Sequence, residues 1–260
     1  MTPSGNNWMA VSGSPDLVVG SARAIAKSGE DIVIWRSSSG EVRAWENRCI
    51  HRGMRLSFGQ VRGERLSCRY HGWQFDLNGQ CSRMPATPDV VPAATLCMPA
   101  FHCVEQNGLI WVNDMGAETA ELEPLTGEWL FGKSLYIDEN ADKLKSRLSR
   151  VRFPRFSSAE AGDAMDFHCE HKHCDALLIT ASAEEKELEQ VLLALQSIDE
   201  SQSAVHCCLA LRDDGQPSRD LRLRFHRWIM RLRWFLQNPG AEYNGFNPLP
   251  LIESSAEDVT

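Results

Sequence analysis

Short apolar runs separated by turn residues fill the first half of the chain, from residue 8 to residue 113. Residues 31–35 are mostly apolar, Ser39-Gly40 is a turn signal, and residues 41–45 alternate between apolar and polar side chains. Alternation with a period of two is typical of a half-buried strand, so this stretch predicts a β-hairpin. Residues 108–112 add another apolar strand candidate. The pattern therefore predicts a small all-β unit for this half.

Residues 114–145 separate this unit from a second apolar region. The segment is acidic and is interrupted by Pro124, Gly127 and Gly132, which favours a linker or crossing segment with some helix near residues 138–145. Beyond it, apolar stretches of strand length predict an antiparallel sheet. They lie around residues 167–174, 177–180, 191–196, 204–211 and 221–225.

A helix candidate follows the last of these stretches. Trp228, Leu232 and Phe235 recur at helical spacing within residues 227–237, and Asn238-Pro239-Gly240 is expected to end the helix. The sequence after this stop shows no regular pattern. We therefore predict an all-β domain at 1–116, a linker or crossing segment at 117–145, and an α+β domain at 146–260 with an antiparallel sheet, a C-terminal helix and a tail.

The composition is that of an ordinary globular protein, with 43% hydrophobic and 24% charged residues in a chain of 260. A net charge of −8 predicts no general attraction to nucleic acid or to anionic membranes. The arginine-rich stretch from residue 219 to residue 233 is therefore read as a polar strand face followed by an amphipathic helix. Contact with an acidic subunit or redox partner is the alternative reading, and nucleic-acid binding is the least favoured one.

The sequence also bears on the cellular compartment. No stretch is apolar for long enough to cross a bilayer, and the first residues lack the basic and apolar regions of a signal peptide. We therefore expect a cytoplasmic protein, in which the nine cysteines stay reduced. Two of the cysteines stand in metal-ligand spacing with histidines, and the others fit buried apolar positions.

Two cysteine–histidine pairs carry the strongest chemical signal. Cys49-Ile50-His51 is followed, after sixteen residues, by Cys68-Arg69-Tyr70-His71. Two cysteines and two histidines can hold structural zinc, but zinc fingers more often pair C-x-x-C with H-x-x-x-H. In a Rieske centre two thiolates hold one iron and two imidazoles hold the other, so each short loop supplies one ligand to each metal. The pairing, together with a glycine in each loop that lets backbone amides approach the bridging sulfides, favours the Rieske centre.

The first half resembles the N-terminal half of Rieske non-haem iron oxygenase α subunits. The residues that carry the resemblance are Trp8, the boxes at 49–53 and 68–73, Arg55-Leu56-Ser57 with Gly59, Phe75-Asp76, Gly79, and residues 108–112. The resemblance implies a [2Fe–2S] cluster with Cys49 and Cys68 on one iron and His51 and His71 on the other. Together with the pattern of the second half, it gives the expected fold class: an all-β Rieske domain followed by an α+β domain with an antiparallel sheet and a C-terminal helix.

Two other Rieske classes fit less well. Respiratory Rieske proteins carry an additional cysteine in each loop, and these cysteines form a disulfide; here the nearby positions hold Met54 and Tyr70. Small Rieske ferredoxins end about where this chain has completed only its first half.

The resemblance raises the question of a second metal site. The oxygenase family binds mononuclear Fe(II) in its second domain through two histidines and a carboxylate, with the motif D-x-x-H-x-x-x-x-H. The candidates here are His168 and His173, but Met165 stands where the motif has its aspartate, and no later aspartate stands out as a third ligand. We therefore expect both histidines to be structural, and the mononuclear iron to lie in a partner subunit.

The leading hypothesis is an electron-transfer component of an oxygenase system. Its cluster would take electrons from a reductase or ferredoxin and pass them to a mononuclear iron, for hydroxylation or oxidative demethylation of a small organic molecule. The resemblance favours a trimer-based oligomer. Two alternatives stay open: a complete single-chain oxygenase with its own iron at His168 and His173, and a non-enzymatic electron carrier, sensor or assembly protein.

Overall fold

The computed structural model describes residues 7–115, 121–123, 125–157, 165–172, 174–183, 186–211 and 217–238. Within these residues, the first half forms two antiparallel sheets, one of six strands in the order β1-β10-β9-β4-β3-β2 and one of four in the order β5-β6-β7-β8. The strands are β1 (Met9–Gly13), β2 (Ala22–Lys27), β3 (Glu30–Arg36), β4 (Val42–Glu46), β5 (Gln60–Arg62), β6 (Arg65–Ser67), β7 (Gln74–Asp76), β8 (Cys81–Arg83), β9 (Ala100–Gln106) and β10 (Leu109–Asn113).

Strand β3 explains why residues 32–35 are apolar without a break. It pairs with β2 on one side and with β4 on the other, and the pairing with β4 confirms the predicted hairpin. Ile32 and Ile34 face one buried cluster, whereas Val33 and Trp35 face a second cluster on the opposite side of the sheet. A stretch of strand that is buried on both faces needs apolar side chains at every position, and residues 32–35 of β3 have them.

The second half is built on one more antiparallel sheet. Within the described residues its order is β11-β15-β14-β13-β12, formed by β11 (Glu128–Ile137), β12 (Asp166–Lys172), β13 (Ala176–Ala183), β14 (Lys186–Ser197) and β15 (Ser203–Leu211). The helices α1 (Ala141–Leu148) and α2 (Arg219–Gln237) complete it, and α2 buries Phe225, Trp228, Ile229, Leu232 and Leu236. The predicted fold class is confirmed. Neither described helix has the length and apolar character that crossing a bilayer requires.

The opposite face of this sheet packs against the first half. Trp8, Ala10 and Trp111 form one buried cluster with Leu192 and Cys208. Backbone hydrogen bonds extend this contact, since the Ser28 and Gly29 amides donate to the Ser197 and Ile198 carbonyls, over 2.8 Å each. The two halves are therefore held together by both apolar packing and directed polar contacts.

A buried series of hydrogen-bonded side chains crosses the same contact between the two halves. Gln196 donates from Nε2 to the Ala26 carbonyl at 2.6 Å, and its Oε1 lies 3.1 Å from Nε2 of His206. The other ring nitrogen of His206 lies 2.8 Å from the Ser134 hydroxyl. Complete burial lowers the pKa of His206 to about 4, so this imidazole is neutral at physiological pH.

One predicted strand is wrong. Residues 221–225 do not form a strand but belong to the start of α2, which begins at Arg219. The Ser218 hydroxyl accepts a hydrogen bond from the Leu221 amide at 3.1 Å and so caps the helix. The apolar residues of this stretch alternate with arginines and fit a period of two, but Phe225 is buried together with Ile229, four residues further on, as a helix requires.

The prediction also missed β11, which lies within the segment read as a linker or crossing segment. Gly132 favoured an interruption there, yet it sits at a bulge within the strand, between Phe131 and Lys133. A Cβ atom at this position would lie only 2.6 Å from Cε1 of Phe225 and closer still to Cδ1 of Ile229. Glycine is therefore needed here because α2 lies directly on the strand. The helix expected near 138–145 is present as α1, and the domain limits at 116 and 145 stay predictions.

We predict that Gly132→Ala lowers the free energy of unfolding by about 1–3 kcal/mol, because the added methyl group overpacks the contact between β11 and α2. The neighbouring change Lys133→Ala is the matched control: Lys133 is exposed, and its replacement should cost less than about 0.5 kcal/mol. Urea titration of both variants measures the difference. Equal stability of the two variants would contradict the packing described here.

Candidate metal centre

The first cysteine–histidine pair lies on a tight loop directly after β4. The Cys49 amide donates to the Met54 carbonyl at 2.9 Å, and the Gly53 amide donates to the Cys49 carbonyl at 2.8 Å. Gly53 has a φ of +71°, in the left-handed region that L-residues seldom adopt. The loop therefore closes on itself and holds His51 at its outer turn.

The second pair lies on a loop with the same backbone pattern. The Cys68 amide donates to the Trp73 carbonyl at 2.8 Å, and the Gly72 amide donates to the Cys68 carbonyl at 3.0 Å. Gly72 has a φ of +70°, nearly the value of its counterpart in the first loop. Each loop thus begins with a cysteine, carries one histidine, and is closed by a glycine four residues after the cysteine. The sequence spacing predicts this pairing, and the structure shows the two loops as matched turns.

Both cysteines point into the interior. Cys49 is 3% exposed and Cys68 is 4% exposed, and they belong to one apolar cluster with Leu56, Leu66 and Phe75. Burial raises the pKa of the Cys49 thiol to about 11. The Cys68 thiol lies near enough to contribute to the raised pKa of Cys49. Because thiolates rather than thiols bind metals, cations at this site would have to displace the proton.

The two histidines lie on the outer side of the same centre. Their ring centroids are 4.7 Å apart. The Trp73 ring stacks on His51 with an interplanar angle of 5°, and the Tyr70 ring lies 3.8 Å from that of His71. Local loss of hydration and the neighbouring His71 lower the pKa of His51, which favours the neutral imidazole that binds metals.

The four side chains therefore form two pairs, with sulfur on the inside and nitrogen on the outside. In the described part of the chain, no three His, Cys, Asp or Glu side chains are grouped as ligands of a single ion. A two-iron cluster needs only two protein ligands for each iron, one pair of thiolates and one pair of imidazoles. The donor set and its arrangement fit a cluster of this kind.

A polar clamp fixes the first loop to the sheet. The buried Asn47 donates from Nδ2 to Oδ1 of Asp31 at 2.9 Å and to the Ser57 hydroxyl at 3.1 Å. Its Oδ1 accepts from the Ser57 amide at 2.8 Å, and Arg55 donates from Nε to Oδ2 of Asp31, also at 2.8 Å. The clamp joins residues before and after the loop to β3. Sequence reasoning missed Asn47, because a single asparagine beside a motif has no distinguishing spacing.

The loops also carry positive charge. Residues 47–84 contain seven arginines and no lysine, against only Glu64 and Asp76, although the whole chain has a net charge of −8. Around the histidines lie two exposed apolar side chains, Ile50 and Tyr70, and the latter is 61% exposed. We call this surface the cluster face, and define it by the exposed residues Arg48, Ile50, Arg52, Arg69 and Tyr70.

The histidines proposed for a mononuclear iron lie elsewhere. His168 is exposed on β12, an edge strand, with Thr180 as its neighbour across the ladder. The adjacent Phe167 and Cys169 face the other way and pack against the core. His173 lies outside the described residues, so the pair stays a prediction. Among the later aspartates, Asp199 is a turn residue, since its Oδ1 accepts from the Ser201 and Gln202 amides.

A comparison with protein families decides the nature of the first half. Residues 7–99 match the family described as the Rieske [2Fe-2S] domain. This part of the chain is a Rieske domain. A [2Fe–2S] cluster is therefore the cofactor that the domain implies, and it accounts for the two matched loops.

Curated relatives extend the assignment. The chain is 38% identical over 107 residues to the oxidoreductase NdmD of Pseudomonas putida, a match that covers 41% of this chain and 18% of NdmD. It is 40% identical over 88 residues to the methylxanthine N1-demethylase NdmA of the same organism, covering 34% of this chain and 22% of NdmA. The matched Rieske region thus spans about a fifth of each relative's length. The predicted resemblance to Rieske non-haem iron oxygenases is confirmed, and these relatives are oxidoreductases.

Solved structures match over both halves. NdmA of Pseudomonas putida CBB5 superposes with a TM-score of 0.66 at 20% identity, covering 98% of this chain and 84% of NdmA. Dicamba monooxygenase with non-haem iron and dicamba gives a TM-score of 0.67 at 18% identity, covering 95% of this chain and 91% of that chain. The Rieske domain is therefore followed by a second half with the fold found in these oxygenase subunits.

Proposed function

We propose that this chain passes single electrons through a [2Fe–2S] cluster, with Cys49 and Cys68 on one iron and His51 and His71 on the other. The observation that carries the proposal is the pair of matched loops, with buried thiols beneath and imidazoles at the surface. When bound, such a cluster supplies reversible one-electron transfer, at a potential above that of all-cysteine ferredoxins.

The surrounding residues determine the path of the electron and shield the cluster from water. Leu56, Leu66 and Phe75 surround the cysteines and keep water from the sulfur side of the centre. The imidazoles lie at the surface, so an electron has its shortest protein path through His51 or His71. Trp73 holds the His51 ring in place by stacking, and the Asn47 clamp holds the loop that carries it.

The cluster face supports a redox partner as the electron donor. Its arginines surround two exposed apolar side chains, and such a surface attracts an acidic partner and then provides apolar contact for docking. A reductase or ferredoxin with an acidic surface around its own cofactor has this chemistry. The chain would receive its electrons there, in the cytoplasm.

The electrons would serve a mononuclear Fe(II) that oxidises a small organic molecule by hydroxylation or oxidative demethylation. The names of the relatives, which include a demethylase and monooxygenases, support this reaction class. We place the iron in a catalytic partner subunit of a trimer-based oligomer, because His168 is exposed on β12, which is an edge strand among the described residues. Substrate, partner subunit and reductase are all part of the proposal.

A second candidate function is a complete oxygenase in this one chain, with iron at His168 and His173. The superposition over 91% of dicamba monooxygenase favours it, because the second half has the fold of a subunit that holds such an iron. A third is an electron carrier, sensor or assembly protein without turnover. The number of irons in each chain distinguishes the second candidate from the other two.

We predict two irons and two acid-labile sulfides per chain in purified, anaerobically loaded protein. Loss of both histidines in the variant His168→Ala/His173→Ala should leave the iron count and the visible spectrum of the cluster unchanged. The matched variant His51→Ala/His71→Ala should lose both. Iron and sulfide analysis measures these numbers. A third iron that disappears with His168 and His173 would establish the single-chain oxygenase, and a chain that binds zinc without sulfide would overturn the proposal altogether.

The cluster face predicts an electrostatic effect on electron uptake. Arg52→Glu and Arg69→Glu should each slow reduction of the cluster by a reduced plant-type ferredoxin about tenfold at low ionic strength, and the difference should shrink in high salt. Arg150→Glu makes the same charge change at an exposed site on the second half and should have little effect. Stopped-flow absorbance gives the rates, and unchanged cluster spectra exclude damage to the loops. Equal rates in all three variants would rule out the cluster face as the docking site.

A further inference from the structure

Strand β12 forms one edge of the sheet of the second half. It pairs with β13 along all seven of its residues, and among the described residues no strand lies on its other side. The strand contains no proline or glycine, and its pairing with β13 shows no bulge. The opposite edge strand, β11, is interrupted by a bulge at Gly132. A regular edge such as β12 presents backbone amides and carbonyls to which a further strand can pair.

Four polar side chains share one face of β12, because successive residues of a strand point to opposite sides. They are Asp166, His168, Glu170 and Lys172, and all but the last are exposed. On the other face, Phe167 and Cys169 pack against the core of their own half. The polar face therefore determines which side chains an approaching strand would meet.

The order of charges on this face is complementary to itself. When two copies of β12 run antiparallel with their Cys169 residues opposite each other, each Asp166 lies opposite a Lys172 and each His168 lies opposite a Glu170. Sliding one copy by two residues, which keeps the polar faces on the same side, places either Asp166 opposite Glu170 or His168 opposite Lys172. The central register is therefore the one in which acidic residues oppose basic ones.

We propose that β12 pairs with β12 of a second copy of this chain, so that the two sheets join across a twofold axis at Cys169. A twofold contact is isologous, so each favourable pair of side chains occurs twice. Opposite charges directly across an antiparallel pair stabilise it, and like charges destabilise it. Within the described parts of the chain, Asp166 forms no ion pair, so the second copy would supply its basic partner.

The same charges make the edge selective. Charged side chains on an exposed edge strand disfavour pairing with unrelated apolar strands. An edge with charges of one sign would repel a second copy as well, whereas β12 carries both signs in an order that matches its own reversed sequence. The inference goes beyond the electron transfer proposed above and does not depend on the cluster. Because the contact is twofold, it would double the number of chains in a trimer-based unit.

Charge reversal tests the contact in the cluster-loaded, full-length protein. Asp166→Lys and Lys172→Asp each place like charges opposite each other twice, so each should weaken the pairing about tenfold or more and halve the mass of the assembly. An equal mixture of the two variants should recover the wild-type mass, because all charge pairs between unlike variants are again opposite. A misfolded strand would not be rescued in this way. Sedimentation velocity over a series of concentrations measures the masses.

The matched control is Lys133→Asp, which makes the same charge change at an exposed position of β11, at the opposite edge of the sheet, and should preserve the mass. Three results would overturn the proposal. They are a wild-type mass of a single chain or an isolated trimer at every concentration, a mass that neither reversal changes, and a mixture of the reversed variants that stays at half the mass.

A photo-crosslinking amino acid in place of His168 tests the register. The probe is placed in isotopically light chains, which are mixed with heavy chains that lack it, and the crosslinked peptides are identified by mass spectrometry. We expect light–heavy crosslinks to the peptide that contains Glu170, with a yield that falls severalfold when both chains carry Asp166→Lys. The same probe in place of Lys133 should give no crosslink to β12. Crosslinks from position 168 that stay within one chain, or that reach another segment instead of β12, would contradict the proposed pairing.

Discussion

The burial of two thiols beneath two matched turns is the constraint on which the first half depends. Each turn places a cysteine sulfur in an apolar cluster and turns a histidine outward, so the four donors are offered as a sulfur pair and a nitrogen pair. Without metal, Cys49 keeps its proton, because burial disfavours the thiolate and raises its pKa to about 11. Cation binding at the thiolates offsets that desolvation, which couples formation of the centre to the folding of the loops.

The rest of the architecture holds this centre in place. The Asn47 clamp fixes the first loop to β3, and the six-stranded sheet that contains β3 packs through Trp8 and Trp111 on the sheet of the second half. The chain as a whole is acidic, yet the surface around the histidines and the outer face of α2 are both basic. Charge is therefore unevenly distributed over the molecule, and the cluster face is the basic surface at which we propose that a redox partner docks.

The sequence predicted the cluster loops well because their chemistry is local. Four candidate ligands of the right type lie within 23 residues, and the spacing within each pair is itself the signal. Contacts between distant residues left no such signal. The clamp of Asn47 with Asp31 and Ser57 uses ordinary polar residues. Gly132 is typical of a chain interruption in the sequence, but in the structure it lies within β11 and makes room for α2. The alternation at 221–225 fits a strand as well as a helix. In each case the deciding interaction was tertiary.

The most direct test of the central claim is the number of histidine nitrogens bound to the reduced cluster. The protein would be labelled with 15N in histidine only, reduced, and studied by pulsed electron paramagnetic resonance. Two imidazoles on one iron predict two strongly coupled 15N nuclei in the wild-type chain. Fewer than two such nuclei in a fully loaded, reduced cluster would contradict the assignment of His51 and His71, and with it the account of how this centre is built.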